Sequence, residues 1–248
     1  MAQAVIEAIC TRRYEQQPRS ILMSATPPLQ DDSIQDASNA AEILPDNWPQ
    51  NIVYLSDLKY TEAALELKPK LTLSPSDTGS WTKIPIELTR SPCSRVKIVT
   101  IGDQKHPAYG QRGLFAAENL IPDAFILPYV GEVHCNSLSD TNPHSDYDLS
   151  LDREIGLSVD SAYAGNEARC CNDYRGVAER ANAEWRDCYV QVPSMRRAGG
   201  KRWERRVGIF VVSAGKAGKR TAGIKAGEEI LINYGKGFWE GRKTLVSE

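Results

Sequence analysis

Two short stretches in the C-terminal half decide the fold class of this chain: Gly165-Asn-Glu-Ala-Arg-Cys-Cys-Asn172 and Gly227-Glu-Glu-Ile-Leu-Ile-Asn-Tyr-Gly235. The first stretch places the polar Arg169 and Asn172 among small and apolar residues. The second predicts a strand that delivers Tyr234 directly into a glycine, which is typical of a sheet that presents one hydroxyl at a cleft. Together they predict a polar site at the end of a β-strand.

The composition is that of a globular protein and argues against a membrane protein. The chain has 248 residues, 41% hydrophobic and 25% charged, which is enough to bury a substantial core. Its longest apolar runs fall far below the roughly 20 residues that a spanning helix needs. Arg12 and Arg13 follow the apolar run 4–9 instead of preceding it, which argues against a targeting signal. We therefore expect no membrane contact and a nuclear or cytoplasmic protein.

The cysteines and histidines do not form a metal motif. None of the six cysteines belongs to a C-x-x-C pair, so the spacing predicts small buried thiols in a reducing compartment. The three histidines, His106, His134 and His144, are too scattered for a metal site or a catalytic triad, and we predict that they lie on the surface or in loops. We expect no structural metal.

Changes in composition divide the chain into four parts. The first is polar and lacks periodicity, which is typical of a flexible tail. The second contains a short predicted helix, Asp57 to Lys68, stopped at Pro69, and an irregular arm that wraps on the main domain through Trp48 and Trp81. The predicted parts are a tail over 1–45, an N-terminal arm over 46–92, a main domain over 93–235 and an aromatic and basic C-terminal extension over 236–248.

The main domain is predicted to be mostly β, with little helix. Short apolar, β-branched or strictly alternating runs indicate eight strands. So many short strands predict an α+β fold of several small sheets. The predicted strands cover 95–101, 114–117, 125–133, 148–152, 156–160, 184–192, 207–213 and 229–234.

Charge is distributed unevenly along the chain. Residues 1–170 hold 14 Lys and Arg against 23 Asp and Glu, a balance of −9, whereas residues 171–248 hold 16 against 9, a balance of +7. The sharpest basic cluster is Met195-Arg-Arg-Ala-Gly-Gly-Lys-Arg-Trp-Glu-Arg-Arg206. It predicts a solvated hairpin loop, and the alternative is a weak contact with nucleic acid through the Arg196–Arg206 loop.

Six segments, taken in order, resemble the SET-domain protein lysine methyltransferases over about residues 93–240. This resemblance implies a SET-type β fold whose C-terminal segment threads through a loop and brings Asn172 and Tyr234 together. The chain departs from the family at Asp173, where the family has His, and at Asn233, where it has Asp, and it lacks the zinc-binding cysteine modules of many members. The segments are 109–115, Tyr129-Val-Gly131, 147–152, 165–174, Asn182-Ala-Glu-Trp185 and 227–235.

The resemblance also implies a set of site residues. Tyr234 and Tyr129 would be the catalytic tyrosines of a lysine channel, whose wall would include Trp185 and Phe238. For those two and for Trp239, ordinary packing is an equal alternative. S-adenosylmethionine would be held by a glycine turn and by four further residues, of which Asp173 acts through its backbone. These cofactor residues are Gln111, Arg112, Gly113, Tyr147, Arg169, Asn172 and Asp173.

The chemistry of methyl transfer explains these residue types. The acceptor lysine must be neutral, although its ordinary pKa is about 10.4. A narrow aromatic channel disfavours the ammonium form by desolvation, which lowers that pKa. We assign Tyr234 to positioning the amine, because a phenol with a pKa of about 10 is a poor base at neutral pH.

The substrate is expected to be a basic protein. Asp146, Asp148, Asp152 and Glu154 cluster beside Tyr147 in sequence, so the channel region would attract a histone tail or a ribosomal-type protein. Nuclear localisation is favoured by the resemblance. The alternative to an enzyme is a catalytically silent SET-like module that binds a basic protein or chromatin.

Overall fold

The computed structural model describes residues 43–73, 80–194, 200–215 and 223–239. Nearly all of the predicted tail lies outside these residues. In the described part, the helices are short: α1 (Glu62–Leu67), 3₁₀ turns at Lys68–Leu71, Ile86–Thr89 and Glu167–Cys170, and a helical turn at 236–239. No helix of this part is both long and apolar enough to cross a membrane. The prediction of a mostly β fold is confirmed.

Fourteen strands are found within the described residues, and several are only two residues long. They are β1 (Val53–Tyr54), β2 (Lys59–Tyr60), β3 (Thr82–Ile84), β4 (Val96–Thr100), β5 (Arg112–Ala116), β6 (Phe125–Pro128), β7 (Glu132–Cys135), β8 (Asp148–Asp152), β9 (Leu157–Asp160), β10 (Ala164–Gly165), β11 (Asn172–Asp173), β12 (Ala183–Pro193), β13 (Lys201–Val211) and β14 (Leu231–Ile232).

These strands form several small sheets, as predicted. Two sheets have four strands, in the orders β3-β12-β13-β6 and β2-β7-β9-β8. The pairs β1-β10, β4-β5 and β11-β14 form two-stranded sheets. The long antiparallel hairpin β12-β13 is the largest element, with its 11 residue pairs in continuous register from Ala183↔Val211 to Pro193↔Lys201.

The prediction of one continuous strand over 125–133 is wrong. It divides into β6, which pairs with β13, and β7, which pairs with β9. The break comes where Gly131 lies against the backbone of the second sheet, because a Cβ at Gly131 would stand 2.4 Å from the Asp160 carbonyl oxygen. Tyr129 therefore lies at the junction of the two four-stranded sheets.

The N-terminal arm is part of the main hydrophobic core. Trp48, Tyr54 and Leu58 are buried in the same cluster as residues of the main domain, and Trp81 lies 5.2 Å from the Tyr189 ring. The predicted helix is shorter than expected, since residues 59–60 pair with β7 as β2. Thr61 then begins α1, and its hydroxyl accepts a hydrogen bond from the Ala64 N–H.

The prediction of a hairpin loop over 195–206 is wrong from Lys201 onward. Residues 201–206 belong to β13, while residues 195–199, including Arg196, lie outside the described part. Arg206 is 3% exposed and pairs with Glu204 and Asp57, and Arg205 pairs with Asp152. The strand is able to carry these cations because Glu204 on the same strand and Asp57 and Asp152 on neighbouring segments neutralise them. The described part of the cluster therefore offers little uncompensated charge for nucleic acid.

The C-terminal segment 227–232 is enclosed on both sides. On one side, the Ile230 N–H donates to the Leu114 carbonyl of β5 at 2.7 Å. On the other side, the Asn182 amide donates to the Glu229 carbonyl and accepts from the Leu231 N–H, each at 2.8 Å. The predicted strand 229–234 is reduced to β14, and Tyr234 follows the strand instead of lying in it.

Substitution of Gly131 by alanine should destabilise the fold. A methyl group there meets fixed backbone at Asp160, so one of the two strands must shift. We expect a loss of about 1 to 3 kcal/mol in the free energy of unfolding, measured by urea denaturation. Gly102→Ala is the matched control, because a Cβ at Gly102 has no heavy atom within 4 Å. Equal stability of the two variants would contradict the packing described for Gly131.

Candidate functional site

One small pocket gathers most of the side chains predicted to form the lysine channel. Its volume is about 70 Å³, and five separate segments of the chain line it. Six of the lining residues were predicted as site residues: Tyr129, Tyr147, Arg169, Trp185, Tyr234 and Phe238. The other lining residues are Asp146, Asp148, Leu149, Ala168 and Cys171.

Hydrogen bonds hold Tyr234 in the pocket at both its hydroxyl and its backbone N–H. Its hydroxyl donates to the Cys171 carbonyl at 2.8 Å, and its backbone N–H donates to the Asp173 carboxylate at 2.7 Å. The ring packs edge-to-face on Phe238, with the two centroids 4.7 Å apart. Because the phenol proton is given to a backbone carbonyl, the hydroxyl oxygen acts toward any further group as an acceptor.

Tyr129 forms the opposite wall with Trp185. The two rings meet edge-to-face at 5.1 Å, and the Tyr129 hydroxyl donates to the Tyr147 carbonyl at 2.6 Å. Burial raises the pKa of the Tyr129 phenol well above its ordinary range. Tyr129 therefore contributes a neutral aromatic wall and holds the chain at Tyr147.

Arg169 supports the pocket from behind Tyr147. Its guanidinium carbon lies 4.4 Å from the centre of the Tyr147 ring. Its Nε donates to the Ser161 carbonyl at 2.9 Å, and its Nη2 donates to the Ala162 carbonyl at 3.4 Å. The donors predicted to contact a cofactor are thus directed at backbone carbonyls of this chain.

Asn172 and the predicted cofactor turn lie in direct contact. The Asn172 side chain is buried, and its Nδ2 donates to the Arg112 carbonyl at 3.3 Å and to Glu229 Oε1 at 2.9 Å. The Arg112 guanidinium points to the arm, where its Nε donates to the Asn47 carbonyl at 2.7 Å. The Gln111 N–H closes the turn by donating to the Ala108 carbonyl at 2.9 Å.

Gly113 is packed closely against other side chains of the protein. A Cβ at Gly113 would stand 2.7 Å from both Glu229 Oε1 and Ile101 Cδ1. The missing side chain therefore makes room for the Glu229 carboxylate. The open side of the turn is at Gly110, which has a φ of +76° and no heavy atom within 4 Å of the position that its Cβ would occupy.

Asp173 anchors the C-terminal end of the site through its side chain. Its carboxylate is 6% exposed and pairs with Arg175 at 2.9 Å. It also accepts from the Trp239 indole N–H at 3.4 Å. Trp239 stacks on Tyr234 with the rings inclined by 16°, so the packing alternative describes its position.

The prediction of surface or loop positions is wrong for His134, which lies in β7, whereas His106 lies in the loop before β5 with its side chain turned inward. The His106 and His134 side chains are 8% and 5% exposed. His106 Nε2 lies 3.0 Å from Glu229 Oε2, a contact between residues 123 positions apart that no local pattern signals. His134 Nε2 lies 3.2 Å from Asp148 Oδ1. This hydrogen bond raises the pKa of His134 to about 9, against the opposing effect of burial.

The acidic cluster predicted beside Tyr147 is smaller than expected. Of its four members, Asp146 and Asp148 line the pocket. Asp148 shares its charge with His134, which is protonated at neutral pH, and Asp152 is paired with Arg205 on the other side of the sheet. The pocket is therefore mainly aromatic, with a small acidic rim.

Comparisons with known proteins give distant similarities. No protein-family model matches the chain, and no curated protein matches it. A crystal structure of the Chaetomium thermophilum polycomb repressive complex 2 matches with 26% identity and a TM-score of 0.38, over 57% of this chain and 15% of that one. The same complex in an autoinhibited conformation bound to S-adenosylmethionine matches with 26% identity and a TM-score of 0.41, over 62% and 17%.

A third similar structure is that complex with H3K27me3 and H3K27M, at 26% identity and a TM-score of 0.37, over 56% of this chain and 14% of that one. TM-scores below 0.5 do not establish a shared fold. The chain also spans less than a fifth of the length of the chains that it matches.

The His134–Asp148 pair should make stability depend on pH. The pKa of His134 is about 9 in the folded protein and 6.5 ordinarily, so its stabilisation is complete below pH 6.5 and is lost as pH rises through 9. We expect the free energy of unfolding to fall by about 1 to 2 kcal/mol between pH 6.5 and pH 9.5. Urea denaturation at several pH values measures this, and Asp148→Asn should flatten the profile. The same slope in both proteins would contradict the assignment.

Proposed function

We propose that the chain is an S-adenosylmethionine-dependent methyltransferase that transfers a methyl group to a lysine amine of a basic protein, with a nuclear histone as the first candidate. The main support is the convergence of six predicted site residues from separate segments on one small aromatic pocket. Chance packing seldom collects residues chosen from motif order alone.

The residues near Asn172 fit the cofactor that the resemblance implies. The turn that contains Gln111, Arg112 and Gly113 is joined to Asn172 by a hydrogen bond, and Gly110 leaves one side of that turn open. This turn, Asn172 and the backbone of Asp173 would hold S-adenosylmethionine. When bound, the cofactor supplies a methyl group on a positively charged sulfur. Cys171 precedes Asn172 and lines the pocket, so the proposed cofactor residues and the lysine channel are adjacent along the chain.

The pocket has the features needed to orient a neutral amine. Aromatic walls at Tyr129, Trp185 and Phe238 disfavour an ammonium ion by desolvation and so lower the pKa of an entering lysine. The Tyr234 oxygen, whose proton is given to Cys171, would accept an N–H of that amine and fix its direction. Most of the catalysis would then come from alignment of the reacting atoms.

Charge at the rim of the pocket supports a basic substrate. Asp146 and Asp148 line the pocket, and they would favour a peptide that carries Lys or Arg beside the target lysine. His134 offsets part of this charge, so we assign substrate attraction chiefly to Asp146.

A catalytically silent binding module is the second candidate. The observation that favours it is the use of Arg169 and Asn172 donors within the protein. Calorimetry of the purified chain with S-adenosylmethionine separates the two, followed by transfer of labelled methyl groups to core histones and to a whole-cell extract. We expect binding and labelling of a basic protein. A folded protein that gives no heat at millimolar cofactor would exclude the enzyme.

Tyr234→Phe should lower turnover while leaving the fold and cofactor affinity nearly unchanged. The ring still fills the pocket. The variant loses one hydrogen bond to the Cys171 carbonyl and, in the proposed reaction, the oxygen that accepts from the amine in the transition state. A single preorganised hydrogen bond of this kind contributes about 2 to 4 kcal/mol, or roughly 30- to 900-fold in rate. Tyr163→Phe is the matched control, because Tyr163 is 61% exposed and does not line the pocket. Wild-type turnover by Tyr234→Phe would refute the role of the hydroxyl.

A further inference from the structure

A series of buried polar side chains, joined by hydrogen bonds, adjoins the proposed cofactor residues. It links His106, Glu229 and Asn172 in that order, with His106 Nε2 3.0 Å from Glu229 Oε2 and Asn172 Nδ2 2.9 Å from Glu229 Oε1. The His106 and Glu229 side chains are 8% and 9% exposed, and Asn172 is 4% exposed. Buried polar groups of this kind are costly unless all of them are paired, so their geometry is tightly held.

Each hydrogen bond in this series has a defined donor and acceptor. The Ala108 N–H donates to His106 Nδ1 at 2.9 Å, so Nδ1 carries no proton and Nε2 is the donor to Glu229. The Glu229 carboxylate can only accept, and it therefore faces donors on both sides. That requirement turns the Asn172 amide so that its Nδ2, and not its carbonyl oxygen, faces Glu229.

The same carboxylate fixes the predicted cofactor turn. Asn172 Nδ2 also donates to the Arg112 carbonyl at 3.3 Å, so the orientation of the amide and the position of the turn are coupled. Glu229 Oε1 occupies the space that a side chain at Gly113 would fill. Glu229 also bridges to Phe115 of β5. The Glu229 side chain thus contacts two of the segments that the resemblance associates with the cofactor, 109–115 and 165–174, and its backbone pairs with the first of them.

We propose that Glu229 is a positioning residue for cofactor binding, which acts by orienting the Asn172 amide, and that His106 in turn orients Glu229. This inference rests on the proposed function. It adds two residues that make no contact with the pocket themselves. It also gives a reason for a glycine at position 113, since any side chain there would meet the Glu229 carboxylate.

A double-mutant cycle on cofactor affinity tests the inference. Calorimetry with S-adenosylmethionine would compare the full chain with Glu229→Gln, Asn172→Ala and the double variant. We expect Glu229→Gln, which keeps the shape of the side chain, to weaken binding by about tenfold or more. In the Asn172→Ala background, the same change should alter affinity by about twofold or less, because its effect passes through Asn172.

His106→Gln provides a second test of the inference, in which Glu229 itself is unchanged. It should weaken binding in the wild-type background and have about twofold or less effect in the Asn172→Ala background. His144→Gln is the matched control, since His144 is exposed and lies outside this chain of hydrogen bonds. Thermal melting of each variant identifies any that unfold, and the cycle through His106 then decides the question if Glu229→Gln is unstable.

The outcomes separate this inference from the proposed function. If the wild-type chain binds no cofactor, the proposed function fails and the inference fails with it. If the wild type binds but Glu229→Gln and His106→Gln bind equally well, the proposed function stands and the inference is overturned. Effects that multiply fully in the double variants also overturn it, because they would mean that Glu229 and His106 act independently of Asn172.

Discussion

The parallel pairing of β11 with β14 is the contact on which the rest of the site depends. It aligns Asn172 with Leu231 and Asp173 with Ile232, and so joins two parts of the chain that lie far apart in sequence. On either side of this short ladder, Cys171 accepts the Tyr234 hydroxyl and Asp173 accepts the Tyr234 N–H. Without this register, the aromatic pocket and the turn at Arg112 would have no common support.

So short a ladder is stable because its surroundings complete the backbone hydrogen bonds. The segment that contains β14 bonds to β5 on one side and to the side chain of Asn182 on the other. A buried strand with an unpaired edge would lose several kcal/mol in unsatisfied backbone groups. The Asn182 side chain supplies a donor and an acceptor, and its backbone N–H donates to the Leu231 carbonyl at 3.1 Å, so this one residue takes the place of a neighbouring strand.

Charges near the site are paired within the protein. His134 faces Asp148, and Arg169 covers the Tyr147 ring and donates to backbone carbonyls. The pocket is left with aromatic walls and a phenol oxygen that accepts. The aromatic walls favour an uncharged amine over its ammonium ion, because aromatic carbon does not replace the water that a charged group would lose. Ion pairs also support the fold elsewhere in the described residues, since the buried Glu204, Arg206 and Asp173 each have an oppositely charged partner.

The sequence by itself determined the class of fold, the bounds of β8 and most of the residues that line the pocket. Alternation along Asp148–Asp152 was enough to indicate a strand, although the burial of its side chains does not alternate, and motif order was enough to choose the aromatic side chains. Only the tertiary structure decided that the chain breaks at Gly131, that residues 201–206 are strand, and that His106 and Glu229 stand behind Asn172. Local periodicity describes neighbours along the chain, whereas these features arise from contacts between distant segments, which packing in three dimensions creates.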